Sequence, residues 1–426
     1  MHFLYQIIVR GFGLGIRVAS LFSGKARRWR TGRKGGFEAM EQSAGDPRPL
    51  AWFHCASLGE FEQGRPVIER FRAAYPDYQI LLTFFSPSGF EIQKKYQGAD
   101  WVFYLPLDTP SNAERFINTW RPSLAVFIKY EYWFNYIDAL HRKDIPCLVV
   151  SAIFRPQQHF FRWYGRWSGR QLRKISAFYV QNAESARLLS RIGIQTASIS
   201  GDTRFDRVYH IGQHPRSFPE LAFFTETSRP ILVAGSTWLA DEALLNEVFD
   251  KAEYNLQMII APHEISDACV RRLQDLFQGM AFRYSDLAGK GSEAQVSGKR
   301  VLIIDSVGML SQLYQFASLA YIGGGFGKGI HNILEAATFG VPAFFGPRYG
   351  QFAEAVELID RGGAFAVSSA GELLRGVNLM LSDPHCLEKA SESCRNYVEE
   401  NRGATQVIVE GIKQFAGLPR ETLSGT

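Results

Sequence analysis

Short apolar runs alternate with amphipathic stretches along most of the chain, and this rhythm constrains the fold more than any other sequence feature. Apolar runs of strand length followed by segments with helical spacing are typical of parallel sheets covered by helices on both faces. The predicted strands cover residues 51–56, 79–84, 101–105, 123–129, 146–151, 177–180, 196–200, 231–235, 257–261, 280–284, 300–304, 319–322, 341–345 and 364–367. In the first half, the predicted helices cover residues 64–74, 88–96, 111–119, 134–142, 158–174 and 184–192.

The rhythm breaks at residues 207–229, a polar stretch that contains Pro215 and Pro219 and is followed by Pro230, and then restarts. We therefore predict two Rossmann-like α/β domains, at residues 37–206 and 230–402, with residues 207–229 as the linker. Two such domains imply a central cleft, with ligands at the carboxyl ends of the strands. Residues 403–426 are predicted to form a C-terminal helix and tail, for which packing on the first domain is one arrangement.

Positive charge is concentrated in two stretches of the 426-residue chain, whose formal net charge is +5. Residues 1–37 contain eight basic residues and no acidic one, and residues 151–175 contain six basic residues and no acidic one. The rest of the chain is acidic overall, which argues against nucleic acid as a partner. Five scattered cysteines without paired spacing indicate reduced thiols in a cytosolic compartment.

Residues 1–36 are predicted to form a membrane-associating amphipathic and polybasic segment. Arg10 and Arg17 interrupt the apolar run, so it is too short to span a bilayer, and no signal-peptide cleavage pattern follows it. On a helical wheel the polar side is narrow and the opposite side is apolar, which suits a helix lying in the membrane interface beside anionic headgroups. The alternative is a helix packed on the protein itself. The polar sector consists of His2, Gln6, Arg10, Gly13, Arg17 and Ser20.

The second basic stretch places Arg162, Arg166, Arg170 and Lys174 four residues apart, which puts them on one face of the predicted helix. Aromatic residues surround them, and such a ridge suits a phosphate-bearing lipid. The alternative is a solvated charged face, although such faces usually mix both signs. The candidate contacts to the acceptor or to lipid are Arg155, Arg162, Arg166 and Arg170.

Two carboxylates follow predicted strands of the first domain. Glu60 lies just after strand 51–56, and Glu131 lies just after strand 123–129, so both are expected at the edge of the sheet that binds ligands. A carboxylate there can act as a general base, while capping of the following helix is the alternative role for Glu60. Aromatic residues around Glu131 could form a sugar platform, but core packing is the commoner reason for such a run.

In the second domain, strand 319–322 runs into glycines at positions 323, 324, 325, 327 and 329. Glycines let the backbone approach a phosphate, and Glu335 in the following helix can accept hydrogen bonds from ribose hydroxyls. These glycines match neither the G-x-G-x-x-G spacing of dinucleotide-binding folds nor the spacing of the P-loop. No D-x-D pair occurs, so the sequence offers no obvious metal-diphosphate site and we expect no metal.

Seven motifs in register resemble the bacterial transferases of 3-deoxy-D-manno-oct-2-ulosonic acid (Kdo), which add Kdo to the lipid A precursor in lipopolysaccharide synthesis. They are Ser57-Leu58-Gly59-Glu60, Tyr130-Glu131-Tyr132-Trp133, Gly201-Asp202-Thr203-Arg204-Phe205-Asp206, Gly235-Ser236-Thr237, Ala261-Pro262-His263, Asp305-Ser306-Val307-Gly308 and His331-Asn332-Ile333-Leu334-Glu335.

The resemblance implies the GT-B fold and inverting transfer of Kdo from CMP-Kdo to a hydroxyl of lipid IVA, at the cytoplasmic face of a Gram-negative inner membrane. It implies no cofactor or metal. It assigns Glu60 as the catalytic base, and Glu131 and Arg204 as groups that stabilise the transition state. The CMP-binding segments that it implies contain Ser236, Thr237, Pro262, His263, Gly308, Met309, Leu310, Asn332, Ile333, Leu334 and Glu335.

The chain departs from the family pattern at Lys129, where an acid is common, at His263-Glu264, where Arg-His is usual, and at Ile333, where Pro is usual. Two alternative functions remain open from the residues. One is a GT-B transferase or epimerase that uses a UDP-sugar, and the other is a non-catalytic, membrane-associated nucleotide-binding protein.

Overall fold

The computed structural model describes residues 1–288 and 298–416, which form two compact units. The first unit contains Met1–Arg207 and the chain from Arg402, and the second contains Val208–Asn401. Residues 207–229, predicted as a linker, contain the end of one helix, a 3-10 turn at Pro219–Leu221 and a short helix at Ala222–Thr225. Pro219 begins the 3-10 turn, whereas Pro215 lies in the irregular stretch before it, and both prolines belong to the second unit. The predicted C-terminal tail beyond residue 416 lies outside the described residues.

The first unit is built on a parallel sheet of seven strands in the order β3-β2-β1-β4-β5-β6-β7. The strands are β1 Leu50–Cys55, β2 Gln79–Phe84, β3 Trp101–Tyr104, β4 Leu124–Ile128, β5 Cys147–Ala152, β6 Ala177–Val180 and β7 Ala197–Ile199. The helices are α1 His2–Ala19, α2 Gly24–Thr31, α3 Gly36–Ser43, α4 Leu58–Ala74, α5 Pro87–Gln93, α6 Pro110–Trp120, α7 Phe134–Arg142, α8 Arg166–Leu172, α9 Ala183–Arg191 and α10 Thr203–Gln213.

The second unit is built on another parallel sheet of seven strands, in the order β10-β11-β9-β8-β12-β13-β14. The strands are β8 Ile231–Thr237, β9 Gln257–Pro262, β10 Ala281–Arg283, β11 Val301–Ile303, β12 Leu319–Ile322, β13 Ala343–Phe345 and β14 Ala364–Ala366. The helices are α11 Ala222–Thr225, α12 Leu239–Lys251, α13 Asp267–Leu276, α14 Leu310–Leu313, α15 Leu334–Ala337, α16 Ala353–Asp360, α17 Ala370–Ser382 and α18 Pro384–Asn401. A last helix, α19 Ala404–Ile412, returns to the first unit.

The central strands are buried on both faces, which explains why they read as unbroken apolar runs. Every residue of β1, β2, β4 and β5 is buried, as expected for parallel strands covered by helices on both sides. Helix α19 completes one of these layers, because Ile408 and Ile412 pack in the same apolar cluster as Phe53 and Phe71. All the predicted strands are present.

Helix α1 packs on the first unit through a narrow side of mixed character, which includes Val9, while His2, Arg10 and Arg17 of the predicted polar sector are exposed. Gln6 is buried and donates a hydrogen bond to the Asn135 side-chain oxygen at 2.7 Å, and Ser20 is buried near the other end of the helix. Most of the large apolar side chains of this helix are nevertheless exposed to solvent, with Phe3 77% exposed. The others exposed on this helix are Leu4, Ile7, Ile8, Phe12, Leu14 and Val18. The helix of a soluble domain normally packs the other way round, with its apolar stripe inward.

One basic residue of the N-terminal segment turns inward, contrary to its predicted place among the headgroup-facing cations. The Arg33 guanidinium donates hydrogen bonds to the carbonyls of Phe85 at 2.7 Å and Leu105 at 3.1 Å, and stacks 3.7 Å from the centre of the Trp29 ring. Burial lowers the pKa of Arg33 to about 9. Its role is to attach the α2–α3 turn to the sheet.

By length and apolar character, none of the described helices suffices alone to cross a bilayer. Taken together, α1 and α2 meet those criteria as a pair, with a bend of 118° between them.

A buried carboxylate, Asp108, joins α1 to α7. It accepts hydrogen bonds from the Tyr5 hydroxyl and from the backbone N–H groups of Asn135 and Tyr136, both at 3.1 Å. Those two N–H groups lie in the first turn of α7, where they have no partner within the helix. Asp108 therefore caps α7 from another segment, and burial raises its pKa to about 6.

We expect Asp108→Ala to destabilise the first unit by about 3 kcal/mol, because two helix N–H groups and the Tyr5 hydroxyl lose a buried acceptor. Urea unfolding followed by circular dichroism measures the change. Asp77→Ala is the matched control, since Asp77 is exposed, and it should shift stability by less than about 0.5 kcal/mol. Equal stabilities for the two variants would contradict this role of Asp108.

Candidate active site

The first candidate site lies where the strand order of the first sheet reverses. Strands β1 and β4 are adjacent and parallel there, although β2 and β3 come between them in sequence. Ligands of open α/β sheets bind in the crevice that such a reversal leaves beyond the carboxyl ends of the strands. The chain leaves β1 toward Glu60, and it leaves β4 toward Glu131. The two predicted carboxylates therefore follow the two strands that flank the crevice.

Glu60 lies in the first turn of α4 and is 8% exposed. The Ser57 hydroxyl donates a hydrogen bond to the Glu60 carboxylate, rather than acting as an acceptor for the backbone of the helix it precedes. A carboxylate in the first turn is favoured by the helix dipole. Both roles that the sequence left open, general base and helix cap, are therefore compatible with its position.

Glu60 and Glu131 line one cavity of about 600 Å³. Ser57, Tyr130 and Trp133 lie beside them, and Ile8, Val9 and Phe12 of α1 form an apolar wall. The cavity therefore offers two carboxylates to a polar group and an apolar helix face to a hydrocarbon group. A carboxylate that serves only as a helix cap needs no such cavity.

Burial and a neighbouring charge both act on Glu131. Its pKa is raised to about 7, mainly because burial disfavours the charged form and also because the negative charge of Glu60 is close. Two adjacent carboxylates, one of which has a pKa near 7, can hold one proton between them near neutral pH. The pair can therefore combine a proton acceptor and a proton donor in one cavity.

The aromatic residues around Glu131 differ in their surroundings, because some pack against other side chains and one is exposed. Tyr132 packs against Phe154 and Phe160, with ring centres 5.8 and 5.3 Å apart, and Trp133 donates a hydrogen bond from Nε1 to Nε2 of His54 at 3.0 Å. Burial lowers the pKa of His54 to about 3, so this ring stays neutral and accepts that bond. Tyr130 is 44% exposed and remains the candidate for contact with a sugar.

Arg204 lies in the first turn of α10 and forms an ion pair with Asp202 at 2.7 Å. Other residues of the same motif serve the fold. Thr203 donates a hydrogen bond to the carbonyl of Gln63 at 2.6 Å, and Asp206 accepts hydrogen bonds from the backbone of Gly403 at 2.6 Å and Thr405 at 2.7 Å. This motif therefore attaches α19 to the first unit. Among the described residues, Arg204 is not part of the cavity that holds the two carboxylates.

The predicted helix over residues 158–174 is wrong as one helix. Residues 159–161 and 163–165 form 3-10 turns and α8 begins at Arg166, because the chain folds back so tightly that a Cβ on Gly165 would lie 1.6 Å from the carbonyl oxygen of His159. Arg162 therefore precedes the helix, and only Arg166 and Arg170 share its face. Lys174 follows the helix and is bound to Asp138 and Gln171.

Arg155 is separated from those arginines. Burial and the charges of Glu60 and Glu131 raise the pKa of Tyr130, and the positive charge of Arg155 opposes that rise, so Arg155 lies near the carboxylate cavity. Arg162, Arg166 and Arg170 instead line another cavity of the first unit. The four predicted contacts for acceptor or lipid thus belong to two places.

In the second unit, the strand order reverses between β8 and β12, and the glycine-rich loop follows β12. The loop passes so close to the end of β8 that a Cβ on Gly323 would lie 2.3 Å from the Ser236 carbonyl oxygen. A Cβ on Gly325 would lie 2.5 Å from the backbone nitrogen of Gly346. Glycine is therefore required at both positions by backbone contact, and the loop presents bare main chain at the crevice.

Asp241, a residue that the sequence motifs did not single out, holds this loop in place. It is buried and accepts hydrogen bonds from the backbone nitrogens of Trp238 and Gly324, both at 2.9 Å, and from the Tyr321 hydroxyl at 2.8 Å. The loop and the start of α12 are thereby fixed to each other. An acid three residues after the helix N-cap is a capping signal that could have indicated it in the sequence.

Three aromatic rings stack at the carboxyl ends of β8, β9 and β12. The Trp238 and His263 ring centres are 4.5 Å apart, those of His263 and His331 are 4.4 Å apart, and the rings are nearly parallel. Trp238 donates a hydrogen bond from Nε1 to Nε2 of His331 at 3.2 Å, which leaves the remaining proton of a neutral His331 on Nδ1. Burial and the neighbouring His263 lower the pKa of His331. Of these three residues, the sequence singled out only His263 as a binding residue.

The other residues predicted to bind CMP differ in which groups they can present to a ligand. Asn332 donates a hydrogen bond to the Glu335 carboxylate at 3.0 Å, and the Ser306 hydroxyl contacts the Met309 sulfur. The side chains of Ile333 and Leu334 are buried in the core, so only their backbone is left for a ligand. The remaining predicted contacts are Ser236, Thr237 and Pro262 at the ends of β8 and β9, and Gly308 and Leu310 around the start of α14.

Within residues 1–288 and 298–416, the structure contains no group of three or more His, Cys, Asp or Glu side chains placed to hold a metal ion.

A family model described as 3-Deoxy-D-manno-octulosonic-acid transferase (kdotransferase) matches residues 28–207. The 3-deoxy-D-manno-octulosonic acid transferase of Haemophilus influenzae is 27% identical over 391 residues, which is 88% of this chain and 89% of that protein. The enzyme of the same name from Chlamydophila psittaci is 25% identical over 378 residues, 86% of this chain and 85% of that protein.

Among solved structures, a UDP-GlcNAc 2-epimerase from Neisseria meningitidis has a TM-score of 0.59 at 15% identity, covering 86% of this chain and 99% of that one. A glycosyltransferase from Rickettsia africae has a TM-score of 0.56 at 13% identity, covering 87% and 99%. At this level of identity the likeness concerns the fold alone. Together with the two parallel sheets, it confirms the predicted two-domain GT-B fold.

We expect Gly323→Ala to destabilise the second unit by about 3 kcal/mol, because the added methyl group meets backbone atoms that cannot move aside. Gly327→Ala is the matched control in the same loop, since its Cβ would have its nearest neighbour 3.5 Å away, at ordinary contact distance. Thermal unfolding compares the two variants. Similar melting temperatures would show that the loop does not need the close backbone approach.

The pKa of Glu131 should fall in Glu60→Gln, because the neighbouring negative charge is removed, and it should stay above 4.5 because burial is the larger cause of its shift. A ¹³C-NMR titration of glutamate carboxyl groups measures it. Glu62→Gln removes a charge from the same helix, where Glu62 pairs with Arg65 and Arg207, and should leave the Glu131 titration unchanged. An unaltered pKa in Glu60→Gln would mean that the carboxylates are not coupled.

Proposed function

Because this chain belongs to the Kdo transferase family of lipopolysaccharide synthesis, we propose that it transfers Kdo from CMP-Kdo to the lipid A precursor, lipid IVA. The observation that carries this proposal is the placement of Glu60 and Glu131 in one cavity at the strand reversal of the first sheet. The reaction is an inverting transfer. The acceptor hydroxyl gives its proton to Glu60 as its oxygen bonds to the anomeric carbon, and the bond from that carbon to the phosphate oxygen breaks to release CMP.

Glu60 is assigned as the base because its hydrogen bond from Ser57 fixes the orientation of its carboxylate in the cavity. Glu131, whose pKa is about 7, holds the proton that the pair shares at and below neutral pH. In that form it donates a hydrogen bond and adds no second negative charge beside the carboxylate that Kdo itself carries. This division gives the two acids different roles in the transition state.

In this proposal, the second unit binds the sugar donor, CMP-Kdo. The bare backbone of the glycine-rich loop admits the phosphate, and Glu335, fixed by Asn332, accepts hydrogen bonds from the ribose hydroxyls. The Nδ1–H of His331 is a further donor toward the nucleotide, held in that tautomer by Trp238. Arg204 is the proposed cation for the charge that develops on the leaving phosphate. The proposal assigns no step to a metal ion.

The acceptor is a phosphorylated glycolipid, and two features of the first unit support it. Ile8, Val9 and Phe12 of α1 line the carboxylate cavity, so a hydrocarbon chain in contact with α1 would bring its sugar close to Glu60. Arg155 provides a positive charge near Tyr130 for a phosphate of that sugar. The exposed apolar face of α1 is proposed to lie in an anionic membrane surface, at the cytoplasmic face of the inner membrane of a Gram-negative bacterium.

Incubation with CMP-Kdo and lipid IVA in detergent, followed by mass analysis of the glycolipid, tests the proposal directly. The acceptor should gain the mass of Kdo. Glu60→Gln should still bind CMP while its turnover falls by about a hundred- to ten-thousand-fold, because the base is lost. Glu62→Gln is the control and should retain turnover. An unchanged acceptor mass would refute Kdo transfer, and turnover of a UDP-sugar in its place would favour the alternative enzyme.

The pH dependence separates the roles of the two acids. Glu131 is protonated below a pKa of about 7, so its contribution is present below that pH and is lost as the pH rises through it. We expect wild-type turnover to decline above pH 7, and Glu131→Gln, which mimics the protonated acid, to stay within about tenfold of wild type and to lose that decline. A Glu131→Gln enzyme as inactive as Glu60→Gln would overturn the assignment.

A further inference from the structure

A second cavity of the first unit, of about 610 Å³, is lined by five arginines and no acidic residue among those the structure describes. The arginines come from the turn before α8, from α8 and its C-cap, and from the end of α9. Phe160, Phe161, Trp163 and Ile192 form its apolar parts. We call this cavity the arginine groove. Its five arginines are Arg162, Arg166, Arg170, Arg173 and Arg191.

The arginine groove is held open by its own packing. Arg173 donates a hydrogen bond from Nε to the Ile192 carbonyl at 2.8 Å, which ties the end of α8 to the end of α9. In residues 1–288 and 298–416, none of the other four arginines forms an ion pair. Lys174, the next cation along the chain, is different, since Asp138 neutralises it.

Five positive charges around one cavity repel each other, and a bound anion would offset that repulsion. Guanidinium groups match the oxygens of a phosphate in a two-pronged geometry that an ammonium group cannot provide, and all five cations here are arginines. The volume is within the range of ligand-binding cavities. The chemistry of the arginine groove is therefore that of a site for a phosphate group.

Two observations favour a lipid as the source of that phosphate. Trp163, at the rim, is 83% exposed and the adjacent Tyr164 is half exposed, and large aromatic side chains with a polar end are typical anchors at the membrane interface. Trp167 of α8 packs against Tyr5 of α1, with ring centres 5.6 Å apart. The helix that carries Arg166 and Arg170 thus contacts the helix whose apolar face is exposed.

We propose that the arginine groove binds the phosphate headgroup of an anionic membrane lipid, as a second membrane contact separate from the cavity of Glu60 and Glu131. This inference rests on the membrane part of the proposed function and not on the transfer reaction. The headgroup would lie among the guanidinium groups while Trp163 enters the interface beside it. The groove would hold the enzyme on its membrane whether or not an acceptor is bound.

Sedimentation of the full chain with phosphatidylcholine vesicles, with and without phosphatidic acid, tests the inference. Each basic residue near an anionic surface increases the binding affinity about fivefold. The double variant Arg166→Gln/Arg170→Gln should therefore bind the phosphatidic acid vesicles about 10- to 30-fold more weakly than wild type. Arg187→Gln, an exposed arginine of α9 that does not line the groove, is the charge control. Arg173 is left in place because it supports the fold, and thermal unfolding verifies that the variant is folded.

Two further measurements decide between sources of phosphate. Inorganic phosphate should not displace the protein from the vesicles, and the KM for lipid IVA in detergent should be unaltered in the double variant. Unreduced vesicle binding by the double variant, displacement by inorganic phosphate, or a raised KM in detergent would each overturn the inference. The raised KM would make the groove part of the acceptor site. Absence of transfer by wild type would refute the proposed function, while the vesicle result would still decide the role of the groove.

Discussion

The reversal of strand order in each parallel sheet is the constraint on which both candidate sites depend. Where β1 meets β4, and again where β8 meets β12, the connections leave the carboxyl ends in opposite directions and open a crevice. Glu60 and Glu131 follow the first pair of strands, while Ser236 lies at the end of β8 and the glycine-rich loop follows β12. The chemistry is therefore placed by the backbone topology, and the side chains need only occupy the positions that it provides.

A buried network then connects the carboxylate cavity to the N-terminal helix. Asp108 binds Tyr5 of α1 and also caps α7, whose start follows directly on the segment that carries Glu131. The position of α1 and the position of that segment are thus set by the same carboxylate. Because Ile8 and Phe12 of α1 line the cavity, any movement of α1 changes the wall that the acceptor would contact. One buried acid therefore fixes both the N-terminal helix and the segment that carries Glu131.

Structural features that depend on local sequence pattern could be predicted from the sequence, whereas features that depend on packing between distant segments could not. The strands were predictable, because strands buried on both faces are unbroken apolar runs. The helix over 158–174 was not, since arginine spacing gives no sign of the backbone contact at Gly165 that breaks it. The inward turn of Arg33 depends on carbonyls and rings from distant segments. The stack of Trp238, His263 and His331 likewise joins three strand ends that are separated in the chain.

The orientation of α1 is the last element that needs a physical cause. Turning the helix over would bury side chains such as Phe3 and Ile7, each worth about 1.5–3 kcal/mol when removed from water, yet they remain outside. The side that faces the protein is fixed instead by specific hydrogen bonds, with Gln6 bound to Asn135 and Tyr5 bound to Asp108, and these groups would lose their buried partners in the reversed arrangement. An exposed apolar face of this size marks an interaction surface. An orientation that is costly in water would become favourable if a bilayer interface covered that face, as we propose, and the polar contacts already hold α1 in that orientation.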